Sequence, residues 1–116
     1  MKIINKISII TVCLNSEKTL QRCIDSVYSQ NYNKKKIQHI VIDGKSKDKT
    51  LNIIKKNKKK LFYWKSSKDT GIYDAMNKAI LKCTGDIIGV LGGYLICTQV
   101  LNFNSVVYLQ NTYNFV

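Results

Sequence analysis

Proline is absent from this sequence, and so is any apolar run long enough to cross a lipid bilayer. A membrane-spanning helix needs about 20 consecutive apolar residues, whereas asparagine and glutamine interrupt even the apolar last stretch of the chain. Residues 1–15 resemble a signal sequence only superficially, because their apolar run is about eight residues long and no small-residue cleavage site follows it. Neither a flexible linker nor an internal repeat divides the 116 residues, which predict one domain with a modest core.

The spacing typical of metal-binding cysteines is missing as well. The four cysteines stand at positions 13, 23, 83 and 97 without a C-x-x-C pair, and the chain has one histidine, His39. This pattern argues against a zinc site. Three of the cysteines fall on apolar faces of predicted elements, so we expect reduced core thiols in a cytosolic protein. His39 stands beside the polar Gln38 in a predicted strand, and we expect it to face outward rather than to belong to a site.

Arginine is nearly absent although the chain is strongly basic. The net charge is +12, yet 18 of the 19 basic residues are lysine and only Arg22 is arginine. Such a charge suggests nucleic acid or an anionic membrane surface as a partner, but base readout and bidentate phosphate contacts favour arginine. A basic nucleic-acid-binding protein is therefore the weakest alternative, and we expect no nucleic acid among the partners. The lysine-rich stretches 34–36 and 55–60 lie between predicted elements, where solvated charge is the default interpretation.

Apolar stretches and amphipathic stretches alternate along the first 91 residues. Four runs are typical of strands, the first of them buried on both faces: 7–14, 37–43, 61–66 and 86–91. Apolar residues at three- and four-residue spacing predict three helices between them: 16–29, 48–57 and 72–83. Asn15 or Ser16 is expected to cap the first helix, and Asp48 the second. The order β-α-β-α-β-α-β predicts an α/β fold with a mostly parallel sheet, whose ligands bind outside the carboxyl ends of the strands.

Two phosphate-binding fingerprints are missing from those strand ends. Neither the dinucleotide motif G-x-G-x-x-G nor the Walker loop follows the first strand, which argues against a nicotinamide oxidoreductase and a P-loop NTPase. Carboxylates stand there instead. Asp43 closes the second strand, where it suits a nucleotide contact or a turn equally well. Glu17, Asp74 and Asn77 lie near helix starts, where stabilisation of the helix is the alternative to a site role.

Three segments, taken together, resemble the family 2 glycosyltransferases. They are ISIITVCLNSEKTLQRCIDSVYSQNY, then HIVIDGKSKDKTLNII with its D-G-x-S-x-D-x-T turn, and then DTGIYDAMNKAILKCTGDIIGVL. The resemblance implies a Rossmann-like, A-type nucleotide-sugar transferase fold, with a UDP-type sugar as the expected donor. It implies that Thr11 and Asp43 hold the nucleotide base, and it places further residues in or beside the donor pocket: Asn15, Glu17, Asp74 and Asn77. Met76 stands where many members carry an arginine.

The resemblance also predicts what should follow the fourth strand. Family members carry acidic residues there that hold a divalent metal, Mn²⁺ or Mg²⁺, against the leaving diphosphate. The matching positions here are Gly92, Gly93, Tyr94 and Leu95, and Asp86 lies about 20 Å of extended chain away. The expected metal therefore has no charged ligands, and we assign no metal-binding or catalytic residue.

The last 25 positions of the sequence differ from the rest. Residues 92–116 contain no lysine, arginine, aspartate or glutamate. We predict a nucleotide-sugar-binding part over 1–91 and an atypical tail over 92–116, produced by a shift of reading frame. The expected function is sugar transfer in cell-surface polysaccharide or glycoconjugate synthesis, by a chain that is truncated and inactive. The alternative is a non-catalytic nucleotide-sugar-binding module. We expect a sugar or lipid-linked acceptor, and a cytoplasmic location with peripheral contact at the inner face of the membrane.

Overall fold

The computed structural model describes residues 6–91, which form one parallel four-stranded sheet with helices on both faces. The strands are β1 (Ile7–Cys13), β2 (Ile37–Asp43), β3 (Tyr63–Ser66) and β4 (Ile87–Val90). The helices are α1 (Leu20–Tyr28), α2 (Thr50–Lys56) and α3 (Ile72–Ile80), and short 3₁₀ turns at Lys34–Lys36 and Lys58–Lys60 precede β2 and β3. The predicted order of elements and the α/β fold class are confirmed.

Strand β1 lies at the centre of the sheet, whose order is β3-β2-β1-β4. It pairs with β2 from Ile7↔Ile37 to Cys13↔Asp43 and with β4 on its other side. All seven residues of β1 are buried, because helices cover both faces of the sheet and strands pair with both edges of β1. This explains why its sequence is one unbroken apolar and β-branched run.

The two faces of the sheet carry separate apolar clusters. Helices α1 and α2 cover one face, where Leu20, Ile24 and Ile54 pack on alternate residues of β1 and β2. Helix α3 covers the opposite face with its small residues Ala75 and Ala79, which lie against the other set of strand side chains. Each fully buried isoleucine or leucine contributes about 2 kcal/mol through removal of its apolar surface from water. Burial of these side chains thus holds all three helices on the sheet.

Helix α1 begins later than predicted, at Leu20 rather than residue 16. The intervening residues form a turn in which the carbonyl of Ser16 accepts hydrogen bonds from the N–H groups of both Thr19 and Leu20. Neither Asn15 nor Ser16 caps the helix as predicted. The last predicted turn of α3 likewise lies outside that helix, since Lys82 and Cys83 bond to carbonyls three residues back.

The expectation that His39 faces outward is wrong. Its side chain is 2% exposed, and its Nε2 atom lies 2.8 Å from the hydroxyl of Thr11 on the neighbouring strand. The error arises because helices cover both faces of the sheet, so a side chain on either face of β2 is shielded from water. Among residues 6–91, no helix is long and apolar enough to cross a membrane.

Candidate functional site

The loops that follow β1 and β2 meet at the carboxyl edge of the sheet. Parallel pairing in register brings Cys13 and Asp43, the last residues of the two strands, side by side. The β2–α2 loop carries the D-G-x-S-x-D-x-T sequence, residues 43–50. Two hydroxyl groups in residues 43–50 each accept a backbone N–H of the β1–α1 loop and donate to a carboxylate of the β2–α2 segment.

The first connection passes through Ser46. The Asn15 N–H donates to the Ser46 hydroxyl at 2.7 Å, and that hydroxyl donates to Asp43 Oδ1. In return, the Asn15 side-chain oxygen accepts the Lys47 N–H at 2.8 Å. Asn15 has a φ of 50°, a left-handed conformation that asparagine tolerates better than most residues. Asn15 therefore joins the two loops rather than capping a helix.

The second connection passes through Thr50. The Ser16 N–H donates to the Thr50 hydroxyl at 2.7 Å, and that hydroxyl donates to Asp48 Oδ1. Asp48 also accepts the N–H groups of Thr50 and Glu17. Although desolvation opposes the effect, the hydrogen bonds from Thr50 and Glu17 lower the pKa of Asp48 below its ordinary value. The N-cap of α2 is Lys49 rather than the predicted Asp48, although the Asp48 carboxylate, one residue before it, accepts the N–H of Thr50.

Asp43 is fully buried beneath these loops. Its Oδ2 accepts the Ser46 N–H at 3.0 Å and the Ser66 hydroxyl at 2.7 Å, while the Cys13 thiol lies 3.7 Å from Oδ1. Burial and the negative charge of Asp43 raise the pKa of that thiol well above its ordinary value, so Cys13 is a neutral core residue. Because two oxygens of a carboxylate offer about four acceptor positions, a ligand N–H reaches Asp43 only where one present donor gives way.

A cleft of about 380 Å³ opens between the end of β1 and the start of α3. Its lining is apolar except at Asp69 and the nearby backbone: Val12, Cys13, Leu14, Asp69, Gly71, Ile72 and Ala75. Asp69 accepts the Gly71 N–H at 3.1 Å, and Gly71 has a φ of 131° that favours glycine. Cys13 belongs both to this lining and to the surroundings of Asp43, so the cleft and the loop network adjoin.

The remaining predicted site residues lie in different surroundings. Asp74 accepts the Thr70 N–H at 3.0 Å and pairs with Lys78 at 3.4 Å, and these contacts, the Thr70 hydrogen bond foremost, lower the pKa of Asp74. Asn77 is exposed on α3, and the Glu17 side chain is exposed beside the first loop. Thr11 is fully buried, with its hydroxyl between His39 and Cys23.

The carboxyl edge thus brings together part of the predicted set. Asn15 and Asp43 belong to one hydrogen-bonded network, whose edge Glu17 reaches through its backbone. Asp74 and Asn77 are not among the residues that line the cleft. The sequence reasoning did not single out Ser46, Ser66 or Asp69. Ser46 was visible as a fixed position of the D-G-x-S-x-D-x-T turn. Ser66 and Asp69 were visible only as members of the stretch 66–71 after the third predicted strand, where a ligand site is expected.

The described residues do not fit a divalent metal. Among residues 6–91, no group of three or more histidine, cysteine, aspartate or glutamate side chains is arranged to hold an ion. Hard divalent cations need several oxygen ligands, and Asp43 already accepts hydrogen bonds at both of its oxygens. The positions predicted to replace the metal-binding acids, Gly92, Gly93, Tyr94 and Leu95, lie outside the described residues.

A parallel α/β sheet with a polar site at its carboxyl edge is the architecture expected of the A-type nucleotide-sugar transferases, and other α/β folds share it. Comparison with known proteins agrees with this class. The family model described as "Glycosyl transferase family 2" matches residues 8–97. The chain belongs to glycosyl transferase family 2.

Curated relatives carry the same kind of name. An "Uncharacterized glycosyltransferase" of Mycobacterium tuberculosis is 40% identical over 85 residues, which cover 73% of this chain and 32% of the relative. A Methanococcus voltae protein, named dolichyl N-acetyl-alpha-D-glucosaminyl phosphate 3-beta-D-2,3-diacetamido-2,3-dideoxy-beta-D-glucuronosyltransferase, is 34% identical over 95 residues, covering 78% of this chain and 29% of that protein. The chain therefore spans about a third of the length of these relatives.

Solved structures show the same fold. S. aureus TarS 1–349 in complex with UDP-GlcNAc matches 94% of this chain and 32% of its own, with a TM-score of 0.72 and 22% identity. The mannosyltransferase PcManGT from Pyrobaculum calidifontis, in complex with GDP-Man and Mn²⁺, matches 78% of this chain and 28% of its own, with a TM-score of 0.72 and 21% identity. The predicted A-type glycosyltransferase fold is confirmed.

Proposed function

We propose that this chain is the donor-binding part of a glycosyltransferase, and that it holds a nucleoside-diphosphate sugar at the carboxyl edge of its sheet. The observation that carries the proposal is the pair of hydroxyl connections through Ser46 and Thr50, which fix two loops beside a cleft of about 380 Å³. Rigid loops at the carboxyl ends of parallel strands are where α/β folds bind nucleotides.

The base and ribose are proposed to lie over the β1 and β2 ends. Asp43 would accept an N–H of the base in exchange for the Ser66 hydroxyl, which can turn away because β3 is an edge strand. Asn15 is proposed to act indirectly, by holding the β1–α1 loop in place. The side chain of Thr11 is buried within the sheet, so Thr11 is proposed to act through its backbone in β1. Glu17 is proposed to stand at the rim.

The sugar is proposed to extend toward α3. The cleft there offers the Asp69 carboxylate and apolar walls, and the start of α3 adds the partial positive charge of a helix N-terminus. Asp74 and Asn77 are proposed to flank the donor from this helix. A uridine nucleotide is the favoured donor, since the fold matches a structure that contains UDP-GlcNAc, although a matching mannosyltransferase structure contains GDP-Man.

Transfer of the sugar needs groups that residues 6–91 do not supply. Structural neighbours contain Mn²⁺, but the described carboxylates form no cluster for a cation, and Gly92–Leu95 in the sequence carry no charge. We therefore propose that this chain binds a donor without metal and does not transfer its sugar. In that state it is a nucleotide-sugar-binding module, derived from enzymes of polysaccharide or glycoconjugate synthesis.

Titration calorimetry tests this function. The chain is titrated with UDP, UDP-GlcNAc, GDP and GDP-mannose, each with and without Mn²⁺, and UDP-sugar hydrolysis or transfer is assayed on the same samples. We expect one nucleotide series to bind with an affinity that Mn²⁺ leaves unchanged, and no transfer. Absence of binding by all four would contradict the site, and Mn²⁺-dependent transfer would contradict the proposed inactivity.

Translation of the coding DNA in its other frames beyond codon 91 tests the proposed shift of reading frame, which predicts a paired-acid motif there.

The cellular location follows the same proposal. We propose a cytoplasmic protein at the inner face of a membrane, where a sugar or lipid-linked acceptor would be presented. The net charge of +12 supports this, because anionic headgroups attract clustered lysines. Fractionation of cells that express the tagged chain checks the location: recovery in a membrane fraction that releases the chain at high salt is the expected result.

A further inference from the structure

A second cleft, of about 340 Å³, lies near the opposite edge of the sheet, where β2 and β3 begin. Two lysine triplets, Lys34–Lys36 and Lys58–Lys60, form the 3₁₀ turns immediately before these neighbouring strands. In the sequence they belong to two separate stretches, 34–36 and 55–60, whose charge was expected to be solvated. Lys34 and Lys35 come from one turn, and Lys59 and Lys60 from the other. The parallel sheet therefore brings four lysines, from two turns that are distant in sequence, to one cavity.

The charge of this cleft is only partly compensated. Lys60 forms a salt bridge with Asp25 at 3.3 Å, while Lys34, Lys35 and Lys59 make no ion pair within residues 6–91. The Nζ atoms of Lys34 and Lys60 also lie 5.1 and 5.2 Å from the centre of the Tyr28 ring. The Tyr28 ring thus contacts two cations, and an anion bound near them would relieve the repulsion among the lysines of the cleft.

One residue that lines the cleft has a buried polar atom without a hydrogen-bond partner among the described residues. His39 lines the cavity together with the apolar side chains of Val27 and Ile37. Its Nε2 is engaged with Thr11, but its Nδ1 is buried and finds no hydrogen-bond partner in the described part of the chain. A buried imidazole nitrogen normally has such a partner, so one hydrogen-bonding position of this cleft-lining residue is left unsatisfied by the described residues. If the Thr11 hydroxyl donates to Nε2, Nδ1 carries the proton and is a donor.

We propose that this cleft, formed by Lys34, Lys35, Lys59, Lys60, Tyr28 and His39, binds a phosphate-bearing anion. Four lysines around one cavity suit a phosphate or diphosphate, and the rings of Tyr28 and Phe62 provide an apolar wall for the group that carries it. Such an anion would come either from a soluble phosphorylated compound or from a lipid headgroup. The site is independent of the donor proposed above, since it is built at the amino ends of the strands.

The test uses inorganic pyrophosphate and the 116-residue chain. His39 is the one histidine of the sequence, so its ring resonances in an NMR spectrum report on the cleft without ambiguity. Pyrophosphate is expected to shift them in a saturable manner. K34Q/K59Q is expected to weaken the Kd at least about tenfold, since it removes two charged hydrogen-bond donors. The matched control, K55Q/K56Q, removes the same charge from exposed positions of α2 outside the cleft and is expected to bind like the unaltered chain.

Vesicles of phosphatidylcholine doped with phosphatidylglycerol distinguish the two sources. If K34Q/K59Q loses vesicle binding while K55Q/K56Q keeps it, the natural anion is a headgroup; if both variants sediment alike, it is soluble. Both double variants are expected to fold, because the four substituted lysines are exposed. Amide spectra that match the spectrum of the unaltered chain check this. The proposal is overturned if pyrophosphate leaves the His39 resonances unchanged, or if both double variants weaken binding equally, since that would indicate non-specific attraction to the net charge.

Discussion

The two ends of the parallel sheet are built on opposite principles. At the carboxyl end, Asp43 and Asp48 accept backbone and hydroxyl donors from two loops and hold them together. At the amino end, the two lysine turns before β2 and β3 bring like charges into one cleft, where Asp25 compensates only Lys60. The first arrangement stabilises the free protein, whereas the second arrangement is stabilised by an anion.

Because of this difference, we expect the residues at the two ends to affect different properties of the protein. Loops whose polar groups hydrogen-bond to one another are already ordered in the free protein. Binding of a ligand therefore costs little further conformational entropy. An uncompensated cluster of exposed cations does not stabilise the fold, and its screened repulsion costs little free energy. We therefore expect substitutions at the carboxyl end to lower stability and substitutions in the lysine cleft to affect anion binding alone.

Replacement of Asp43 by alanine should have the largest effect. It leaves the Ser46 N–H and the hydroxyls of Ser46 and Ser66 without their buried acceptor, and the expected loss is about 3 kcal/mol of unfolding free energy. Urea denaturation measures it. The contrasting variant is K34Q/K59Q, which should change stability by less than about 0.5 kcal/mol. Equal losses in the two variants would contradict the comparison between the ends.

A matched pair of glycines probes the packing at each end. A Cβ at Gly85, before β4, would lie 2.6 Å from Ser8 Oγ and 2.7 Å from Ser8 N, so G85A should cost about 2 kcal/mol. At Gly44, after β2, the nearest atom would be Asp69 Oδ2 at 3.1 Å. That carboxylate can move aside, and G44A should cost less than about 1 kcal/mol. Denaturation midpoints that rank the two variants in the reverse order would show that the backbone at Gly85 yields more readily than the packing indicates.

Two substitutions of Asn15 separate its hydrogen bond from its backbone conformation. N15G removes the side-chain acceptor of the Lys47 N–H and should cost about 1 kcal/mol. N15A removes the same acceptor and keeps a Cβ at a φ of 50°, a left-handed conformation that alanine tolerates less well than asparagine or glycine, so its expected cost is about 2 kcal/mol. Thermal and urea unfolding check the difference. If the two variants are equally stable, the left-handed conformation of Asn15 is not a constraint on the loop.

The smallest expected effect concerns acidity at Asp74. Its pKa is lowered in the folded protein from the ordinary 3.8 by the Thr70 N–H and Lys78. A carboxyl whose folded pKa is depressed stabilises the protein above its unfolded pKa, and that contribution disappears as the pH falls through the folded value. Wild type should therefore lose more melting temperature than D74N between pH 5 and strongly acid solution, by a small amount because the group is exposed. If the melting temperatures of both proteins fall equally across that range, Asp74 does not contribute to the pH dependence of stability.

Much of the fold could be predicted from sequence. The β-branched runs gave the strands, and β2 was predicted with its observed bounds, Ile37–Asp43. The helix ends were less accurate because hydrogen bonds to the Ser16 carbonyl, which periodicity does not reveal, set the start of α1. His39 was misplaced for a similar reason, since the sequence of β2 does not say that helices cover both of its faces.

The site was predictable in its location but not in its connections. Asp43 and Asn15 were expected at strand ends, yet their roles in holding the two loops together depend on Ser46, which the in-register pairing of β1 and β2 brings between them. The lysine cleft was not predictable at all. Its two halves are separated along the chain, and only the adjacency of β2 and β3 in the sheet places them together.

An NMR titration of the isotopically labelled chain with UDP tests the central claim most directly. The account predicts that amide signals of the joined loops, those of Asn15, Ser46 and Lys47, shift saturably without added metal, and that they shift in the same way in K34Q/K59Q, whose second cleft has lost two of its lysines. Shifts confined to the lysine cleft, or no shifts at all, would contradict the assignment of the carboxyl edge as the nucleotide-binding site.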